Sequence, residues 1–247
     1  MKKNNKLNIA IIGLGNIGSY LYKYLQTNKK ILSKKNNCIP NIIFVSAKNR
    51  NRKRNIKINK KKWLKNYLDA TKSKDVDIIV ELIGGAEGAA KKLVFNALKN
   101  KKHVVTANKA LIAKYGDQLS KIAEKNNVNL EFEASVAGGI PILRSLKEGF
   151  PTNKIKKVFG ILNGTSNYIL SEMEKSNDTF DNVLKKAQLL GYAEPGNPKL
   201  DLNGSDAFSK VRILSALSFH TQISKQKCLV EGIENIDLKD IKMAKQL

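Results

Sequence analysis

The stretch Leu7-Asn8-Ile9-Ala10-Ile11-Ile12-Gly13-Leu14-Gly15-Asn16-Ile17-Gly18 decides how this chain is read. Its first half is a short apolar run that stops at a glycine, the pattern of a strand buried on both faces. Residues 15–26 then carry apolar side chains at helical spacing, with Ile17, Leu21 and Leu25 on one face. Between strand and helix stands G-x-G-x-x-G. The pattern is weak alone, but here it closes a strand and opens a helix, the context its chemistry requires. Gly13 permits the tight turn, Gly15 lets the backbone approach a pyrophosphate, and Gly18 lets helix and strand pack closely. Asn16 and Ile17 complete the turn, where the helix N terminus offers N–H groups and the positive end of its dipole to the phosphates. The competing reading is a glycine-rich turn without a ligand.

Working outward, apolar runs at 41–47, 76–82, 103–105 and 128–133 read as further strands. Residues 89–98 and 108–125 read as helices, the second with Asn108 as its N-cap, and 63–68 as a short helix. Strands alternating with helices mean a parallel sheet with right-handed crossovers. The fold expected is therefore α/β, a Rossmann-type doubly wound sheet over residues 1–134. The pattern changes near Ala134. After Val136-Ala137-Gly138-Gly139-Ile140-Pro141 comes a helix to about Gly149, then a strand over 156–162 and helices near 166–175, 180–190 and 205–219. Residues 135–247 are read as an α+β substrate domain.

The end of the second strand discriminates between dinucleotides. An acid there would bond a ribose 2′-hydroxyl. The sequence runs Val45-Ser46-Ala47-Lys48-Asn49-Arg50, with no carboxylate. Lys48 and Arg50 are placed to neutralise a 2′-phosphate, which favours NADP over NAD. The plainer reading makes them solvated loop charges of a basic protein.

The formal net charge is +24, from 45 Lys and Arg against 21 Asp and Glu. Such a charge attracts nucleic acid or anionic membranes. Here the excess is mostly lysine, spread along the chain among many asparagines, and aromatics are only 6%. A dedicated nucleic-acid binder gathers Arg and aromatics on one element, so neither nucleic acid nor membrane is expected as a partner. No apolar run approaches the ~18 residues of a membrane span. The basic start, Met1-Lys2-Lys3-Asn4-Asn5-Lys6, leads into a run too short and strand-like for a signal peptide, so the reading is cytoplasmic. Cys38 and Cys228 lie far apart and outside any ligand-spaced cluster, which fits two thiols in a reducing compartment.

Further segments carry a family resemblance. They are Val80-Glu81-Leu82-Ile83-Gly84-Gly85, His103-Val104-Val105-Thr106-Ala107-Asn108-Lys109-Ala110, and Glu133-Ala134-Ser135-Val136-Ala137-Gly138-Gly139-Ile140-Pro141-Ile142. Gly160-Ile161-Leu162-Asn163-Gly164-Thr165-Ser166-Asn167-Tyr168-Ile169-Leu170 follows, then Leu189-Leu190-Gly191-Tyr192-Ala193-Glu194-Pro195 and Asp201-Leu202-Asn203-Gly204-Ser205-Asp206-Ala207-Phe208-Ser209-Lys210. In this order and spacing, with the glycine turn, they resemble homoserine dehydrogenase over essentially the whole chain.

The resemblance implies interconversion of L-homoserine and aspartate 4-semialdehyde with NAD(P)H, on the way to threonine, methionine and isoleucine. It implies that Lys210 is the proton donor and that Lys109 lies at substrate and nicotinamide. Asp206 would orient Lys210 and hold the substrate ammonium, with Asp201 and Glu194 as further substrate carboxylates. Gly84, Gly85, Thr106 and Gly191 would line the nicotinamide side. Glu133 with the carbonyls of Val136, Gly138 and Ile140 would hold a monovalent cation, expected to be sodium, unless the Gly-Gly segment is only a hinge. A homodimer is implied as well. The residues are compatible with this chemistry. Hydride transfer to an aldehyde needs a proton donor at the developing alkoxide, and lysine can supply both proton and charge. Asp206 and Lys210, four apart, share a face of a helix, an arrangement also found in ordinary surface ion pairs.

Two departures stand out. Pro195-Gly196-Asn197-Pro198-Lys199-Leu200 is one residue longer than the family's segment, and Gly196-Asn197 replaces its acid. The chain also stops at Leu247, where family members continue, so it reads as a fragment of a longer protein. A dinucleotide-binding remnant without turnover is the competing reading. Aspartate-semialdehyde dehydrogenase is disfavoured, because its nucleophilic cysteine motif is absent.

Overall fold

The decisive stretch folds as a strand, β1 (Lys6–Ile12), followed by a helix, α1 (Asn16–Thr27). The structure, a computed structural model, describes residues 6–196, 198–222 and 228–246. The chain divides into two compact units, Met1–Gly149 and Phe150–Leu247. The family of apolar runs puts five parallel strands in the first unit.

After α1 come α2 (Lys29–Asn36) and β2 (Ile39–Ser46), then α3 (Asp69–Lys72), β3 (Ile78–Glu81) and α4 (Ala89–Lys99). The unit continues through β4 (His103–Thr106), α5 (Lys109–Lys125), β5 (Leu130–Glu131) and α6 (Ile142–Arg144). The sheet order is β2-β1-β3-β4-β5, and every pair is parallel. The strand order reverses between β1 and β3, and in such sheets ligands bind outside the carboxyl ends at that switch point. Both faces of the sheet are buried, as parallel sheets demand. Ile9 and Ile11 join Tyr22, Ile42, Val45 and Val80 in one cluster, while the alternate residues Ala10, Ile12 and Ile79 are buried too. Truncating a fully enclosed side chain such as Ile79 costs ~2–5 kcal/mol, so this sheet is a stiff platform.

The buried face of α1 differs from the expectation. Ile17 is 66% exposed, whereas Gly18 and Tyr22 are buried, with Leu21 and Leu25 packed beside them. Close packing of Gly18 on the turn fixes the helix rotation and turns Ile17 outward. The helix expected at 63–68 does not form. Trp63 instead bridges Val45, and the Leu64 N–H donates to the Val45 carbonyl at 3.0 Å, so this chain lengthens the sheet edge. β5 is shorter than expected because Phe132 turns the backbone into a 3-10 turn at Glu133–Ser135.

The second unit contains α7 (Gly164–Ser176), α8 (Phe180–Leu189), α9 (Lys199–Leu202), α10 (Ser205–Phe219) and α11 (Leu238–Ala244). Ile169, Met173, Val183, Ala187, Ala193 and Leu202 form its core, with Ile233, Leu238 and Ile241 against them. Residues 156–162, expected as a strand, have no ladder partner among the described residues, and Phe159 and Ile161 are exposed.

Candidate active site

The glycine turn lies at the carboxyl end of β1. Gly13 has φ +107, and a Cβ there would sit 2.4 Å from the Leu82 carbonyl carbon, so only glycine fits. Its N–H donates to the Ser46 carbonyl at 2.9 Å, tying the turn to the end of β2. A Cβ on Gly18 would meet the Gly13 carbonyl oxygen at 2.0 Å. Among the described residues nothing lies within 4 Å of the corresponding position on Gly15. Gly15 caps α1 without a side-chain bond, and the first turn has no acid, the arrangement of a helix start that can take an anion.

Beyond β2, Lys48 and Arg50 are both exposed. The Arg50 guanidinium lies 5.3 Å from the Trp63 ring centroid and Arg54 lies 5.5 Å from it. Sequence reading passed over Arg54. Its Nε donates to the Leu14 carbonyl at 2.9 Å, Nη1 to the Arg50 and Arg52 carbonyls at 3.1 and 2.9 Å, and Nη2 to the Asn49 carbonyl at 2.8 Å. One cation thus clamps the loop after β2 onto the glycine turn. Burial, and then the charge of Arg52, push the Arg54 guanidinium below its usual pKa.

Glu81, at the end of β3, is fully buried. Its Oε1 accepts from the Ile83 and Gly84 N–H groups at 2.7 and 3.0 Å, and its Oε2 accepts from the Thr106 hydroxyl at 2.5 Å. Thr106 Oγ1 accepts from the Asn108 N–H at 3.0 Å, and Asn108 Nδ2 donates to the Gly85 carbonyl at 2.7 Å. Asn108 Oδ1 caps α5 through the Leu111 N–H at 3.1 Å, as expected of it. The structure thereby joins Gly84, Gly85 and Thr106, and Lys109 follows as the first residue of α5. The signal for Glu81 was present in the sequence: an acid inside an otherwise apolar strand must find partners.

Nearby, Glu87 binds Lys91 and Lys114 at 3.2 and 2.7 Å and accepts from the Tyr115 hydroxyl. The Lys114 bond, then those of Tyr115 and Lys91, hold its carboxyl down to about 2. Glu133 Oε1 accepts from the Leu143 N–H at 3.1 Å. Between them the chain turns through Ala137 at φ 49 and Gly139 at φ 91. The Ile140 carbonyl accepts from the Ile142 N–H at 2.8 Å.

In the second unit Lys210 Nζ lies 2.6 Å from Asp206 Oδ2 and donates to the Leu162 carbonyl at 2.6 Å. The two side chains are 19% and 6% exposed. Asn163, which sequence reading left unassigned, donates from Nδ2 to Asp201 Oδ1 at 2.8 Å and to Asp206 Oδ2 at 2.9 Å. The structure therefore brings Asp201, Asp206 and Lys210 into one network. Glu194 is exposed, and among the described residues its side chain makes no hydrogen bond to this network; its carbonyl accepts from Gln188 Nε2 at 3.3 Å. Gly191, at φ 80, precedes Tyr192, whose ring stacks on Tyr168 with centroids 4.3 Å apart. Gly196 has φ 92, and Asn197 lies outside the described residues. Among the described residues no group of three His, Cys, Asp or Glu could hold a metal ion, and no helix is long and apolar enough to cross a membrane.

The sheet order, the open glycine turn and the uncapped helix define a Rossmann-type dinucleotide-binding domain. Residues 13–133 match the family model described as homoserine dehydrogenase, NAD binding domain, and residues 141–247 match the one described as homoserine dehydrogenase. The chain is similar to a homoserine dehydrogenase of Neisseria gonorrhoeae, 44% identical over 98% of this chain and 55% of that one. It is similar to the crystal structure of a homoserine dehydrogenase from Thiobacillus denitrificans, with TM-score 0.90, 38% identity, and coverage of 98% and 56% of the two chains. A hyperthermophilic archaeal homoserine dehydrogenase in complex with NADPH shares the fold, at TM-score 0.77 and 24% identity, over 94% of this chain and 75% of that one. The chain belongs to the homoserine dehydrogenase family, and it spans about 55% of the length of the curated relatives it matches.

Proposed function

We propose that the chain carries the dinucleotide-binding and catalytic parts of a homoserine dehydrogenase, oxidising L-homoserine to aspartate 4-semialdehyde and catalysing the reverse. The observation that carries this reading is the buried contact of Lys210 with Asp206, tied through Asn163 to Asp201. A dinucleotide held at the glycine turn would supply the hydride acceptor for the oxidation and the hydride donor for the reduction. In the reduction the Lys210 ammonium gives a proton to the carbonyl oxygen and becomes the neutral amine; in the oxidation Lys210 acts as that neutral amine, takes the hydroxyl proton and becomes the ammonium. Asp206 holds the Lys210 ammonium in place and, with Asp201 and Glu194, attracts the substrate ammonium. Lys109 serves substrate and nicotinamide, beside Gly84, Gly85 and Thr106, and Gly191 adds to the cofactor contacts.

The residues present fit a dinucleotide. Gly13, Gly15, Asn16, Ile17 and Gly18 supply an open turn, since a Cβ on Gly15 would meet nothing within 4 Å among the described residues. NADP is favoured over NAD, because Lys48 and Arg50 stand where a carboxylate would select a 2′-hydroxyl. A monovalent cation, sodium by this reading, would take the Glu133 carboxylate and the carbonyls of Val136, Gly138 and Ile140, an all-oxygen set suited to a hard ion. We further assign the Rossmann domain to residues 1–134 and the catalytic domain to 135–247, a homodimeric state and a cytoplasmic location, with no nucleic-acid or membrane partner.

The test is homoserine-dependent reduction of NADP and NAD by the purified chain, with dinucleotide binding measured alongside. Turnover faster with NADP is expected. Dinucleotide binding without turnover would sink the proposed activity for this chain.

A further inference from the structure

Arg50 and Arg54 share one aromatic ring but are bound differently. Their guanidinium carbons lie 5.3 and 5.5 Å from the Trp63 centroid. Arg54 spends its N–H groups on the carbonyls of Leu14, Asn49, Arg50 and Arg52. Arg50 is exposed, and among the described residues its side chain makes no hydrogen bond and no ion pair. A ring holds a cation through its charge and takes no N–H in a hydrogen bond to oxygen, so the Arg50 donors stay open to a ligand.

Both partners are fixed from behind. Asn49 Oδ1 accepts from the Asn51 and Arg52 N–H groups at 3.0 and 3.1 Å, and Arg54 Nη1 donates to the Arg50 carbonyl at 3.1 Å, so the backbone that carries Arg50 is tied down. Trp63 bridges Val45 near the end of β2 and packs against the apolar cluster of Ile42 and Val45. A 3-10 turn at Lys60–Lys62 leads into it, with Asn59 Oδ1 accepting from the Lys61 N–H at 2.9 Å. Lys62 Nζ donates to the Ile42 carbonyl at 2.7 Å. The ring therefore stands at the carboxyl end of β2, where dinucleotide-binding sheets read the ribose. Apolar packing alone accounts for the buried side of the tryptophan and leaves the arginines unexplained. Two guanidiniums beside one ring repel, and the negative face of the ring offsets part of that repulsion. A phosphate would offset the rest.

We propose that Trp63 is a positioning residue for coenzyme choice: its ring holds the Arg50 guanidinium, donors open, where the 2′-phosphate of NADP arrives. This rests on the reading of Arg50 as a partner of that phosphate. It deepens the reading, because a cation already held in place loses less freedom on binding than one on a free side chain.

The experiment measures dissociation constants for NADP and NAD by calorimetry on the purified chain. The variants are Trp63→Leu, Trp63→Phe, Arg50→Ala and the double variant Trp63→Leu with Arg50→Ala. Trp63→Leu keeps an apolar body on the cluster but no ring. It is expected to weaken NADP about two- to fivefold more than NAD, the size of one exposed cation–π contact. Trp63→Phe, which restores a ring, should recover much of that loss. In the Arg50→Ala background Trp63→Leu should no longer change the ratio of the two constants, because the ring acts through Arg50. A tryptophan that only supports the fold would weaken both dinucleotides alike. Equal losses, or a change of ratio that persists without Arg50, would overturn the proposal. An unchanged ratio in Arg50→Ala would overturn the 2′-phosphate reading, and the proposal with it. Trp63 is the only tryptophan of the chain, so its fluorescence reports on the site without any substitution. Saturating NADP is expected to change that emission more than saturating NAD, and equal changes would count against the contact and overturn it.

Discussion

Lys210 and Asp206 stand one turn apart on α10 with Nζ and Oδ2 at 2.6 Å, and the aspartate is only 6% exposed. An exposed pair at this spacing contributes a few tenths of a kcal/mol, but a pair removed from water is costly to break on one side. Lys210→Ala is expected to lower kcat by about 10²-fold or more, the range for loss of a positioned acid or base, with dinucleotide affinity near wild type. Steady-state kinetics and a binding titration decide it. Retention of wild-type kcat would remove Lys210 from the proton-transfer role.

Gly15 and Gly18 separate ligand binding from folding. A Cβ on Gly18 would overlap the Gly13 carbonyl oxygen at 2.0 Å, whereas one on Gly15 meets nothing among the described residues, and Gly15 has an ordinary φ of −75. Gly18→Ala is expected to destabilise the chain by about 2 kcal/mol or more, as overpacking against backbone does. Gly15→Ala should leave the melting temperature nearly unchanged while weakening dinucleotide binding about tenfold, because the methyl fills space needed by the pyrophosphate. Equal loss of stability in both variants would show that Gly15 is also a packing glycine.

The strand and helix framework of the first unit was legible because period and glycine placement are local signals. The Asn108 cap was legible for the same reason. The short helix expected at residues 63–68 failed because the bridge from Trp63 to Val45 is a long-range contact that no local pattern contains. The spacing of Asp206 and Lys210 placed them on one helix face, and their contact follows from it. The roles of Asn163 and Arg54 were not legible. Asn163 meets Asp201 and Asp206 across 38 and 43 residues of sequence, and Arg54 reaches Leu14 across 40. Such bonds depend on where separate elements come to rest.

Glu81 is the buried acid side chain that shapes the loop after β3. Its two oxygens satisfy the Ile83 and Gly84 amides and the Thr106 hydroxyl. Glu81→Gln can serve the amides but presents an NH2 to the hydroxyl, which then loses its acceptor. A cost of about 1–3 kcal/mol is expected, the penalty for a buried polar group left unsatisfied. Glu81→Ala should cost more, because two amides and a hydroxyl lose their partner together. Denaturant unfolding measures both, and a Glu81→Gln variant as stable as wild type would mean that water enters this loop.

Arg54 and Arg50 flank Trp63, but they should respond differently to substitution. Arg54 spends its donors on four backbone carbonyls, so Arg54→Ala is expected to weaken NADP and NAD binding together by loosening the loop against Leu14. Lys48→Ala with Arg50→Ala should weaken NADP binding about tenfold and leave NAD binding within about twofold, since only NADP carries the 2′-phosphate. Parallel titrations with the two dinucleotides distinguish these outcomes. Equal weakening from the Lys48 and Arg50 substitutions would make them surface charges and end the case for an NADP preference.

Glu87 gives the surface a pH dependence with a defined sign. Hydrogen bonds from Lys114, Tyr115 and Lys91 hold its carboxyl at about 2, below the ordinary value of 4.5. A carboxyl depressed by folding contributes stability that is fully present above its unfolded pKa and is lost as pH falls through the folded one. The loss should therefore fall between about 4.5 and about 2, when Glu87 takes a proton and releases the two lysines. The group is fully exposed, so salt should shrink the effect. Melting temperatures of wild type and Glu87→Gln, measured across that window at low and high salt, provide the check. The variant is expected to melt below wild type above pH 4.5 and to converge with it toward pH 2, with a smaller gap in salt. A constant gap across the window would mean that the cluster acts through packing of Tyr115 on Phe95 and not through charge.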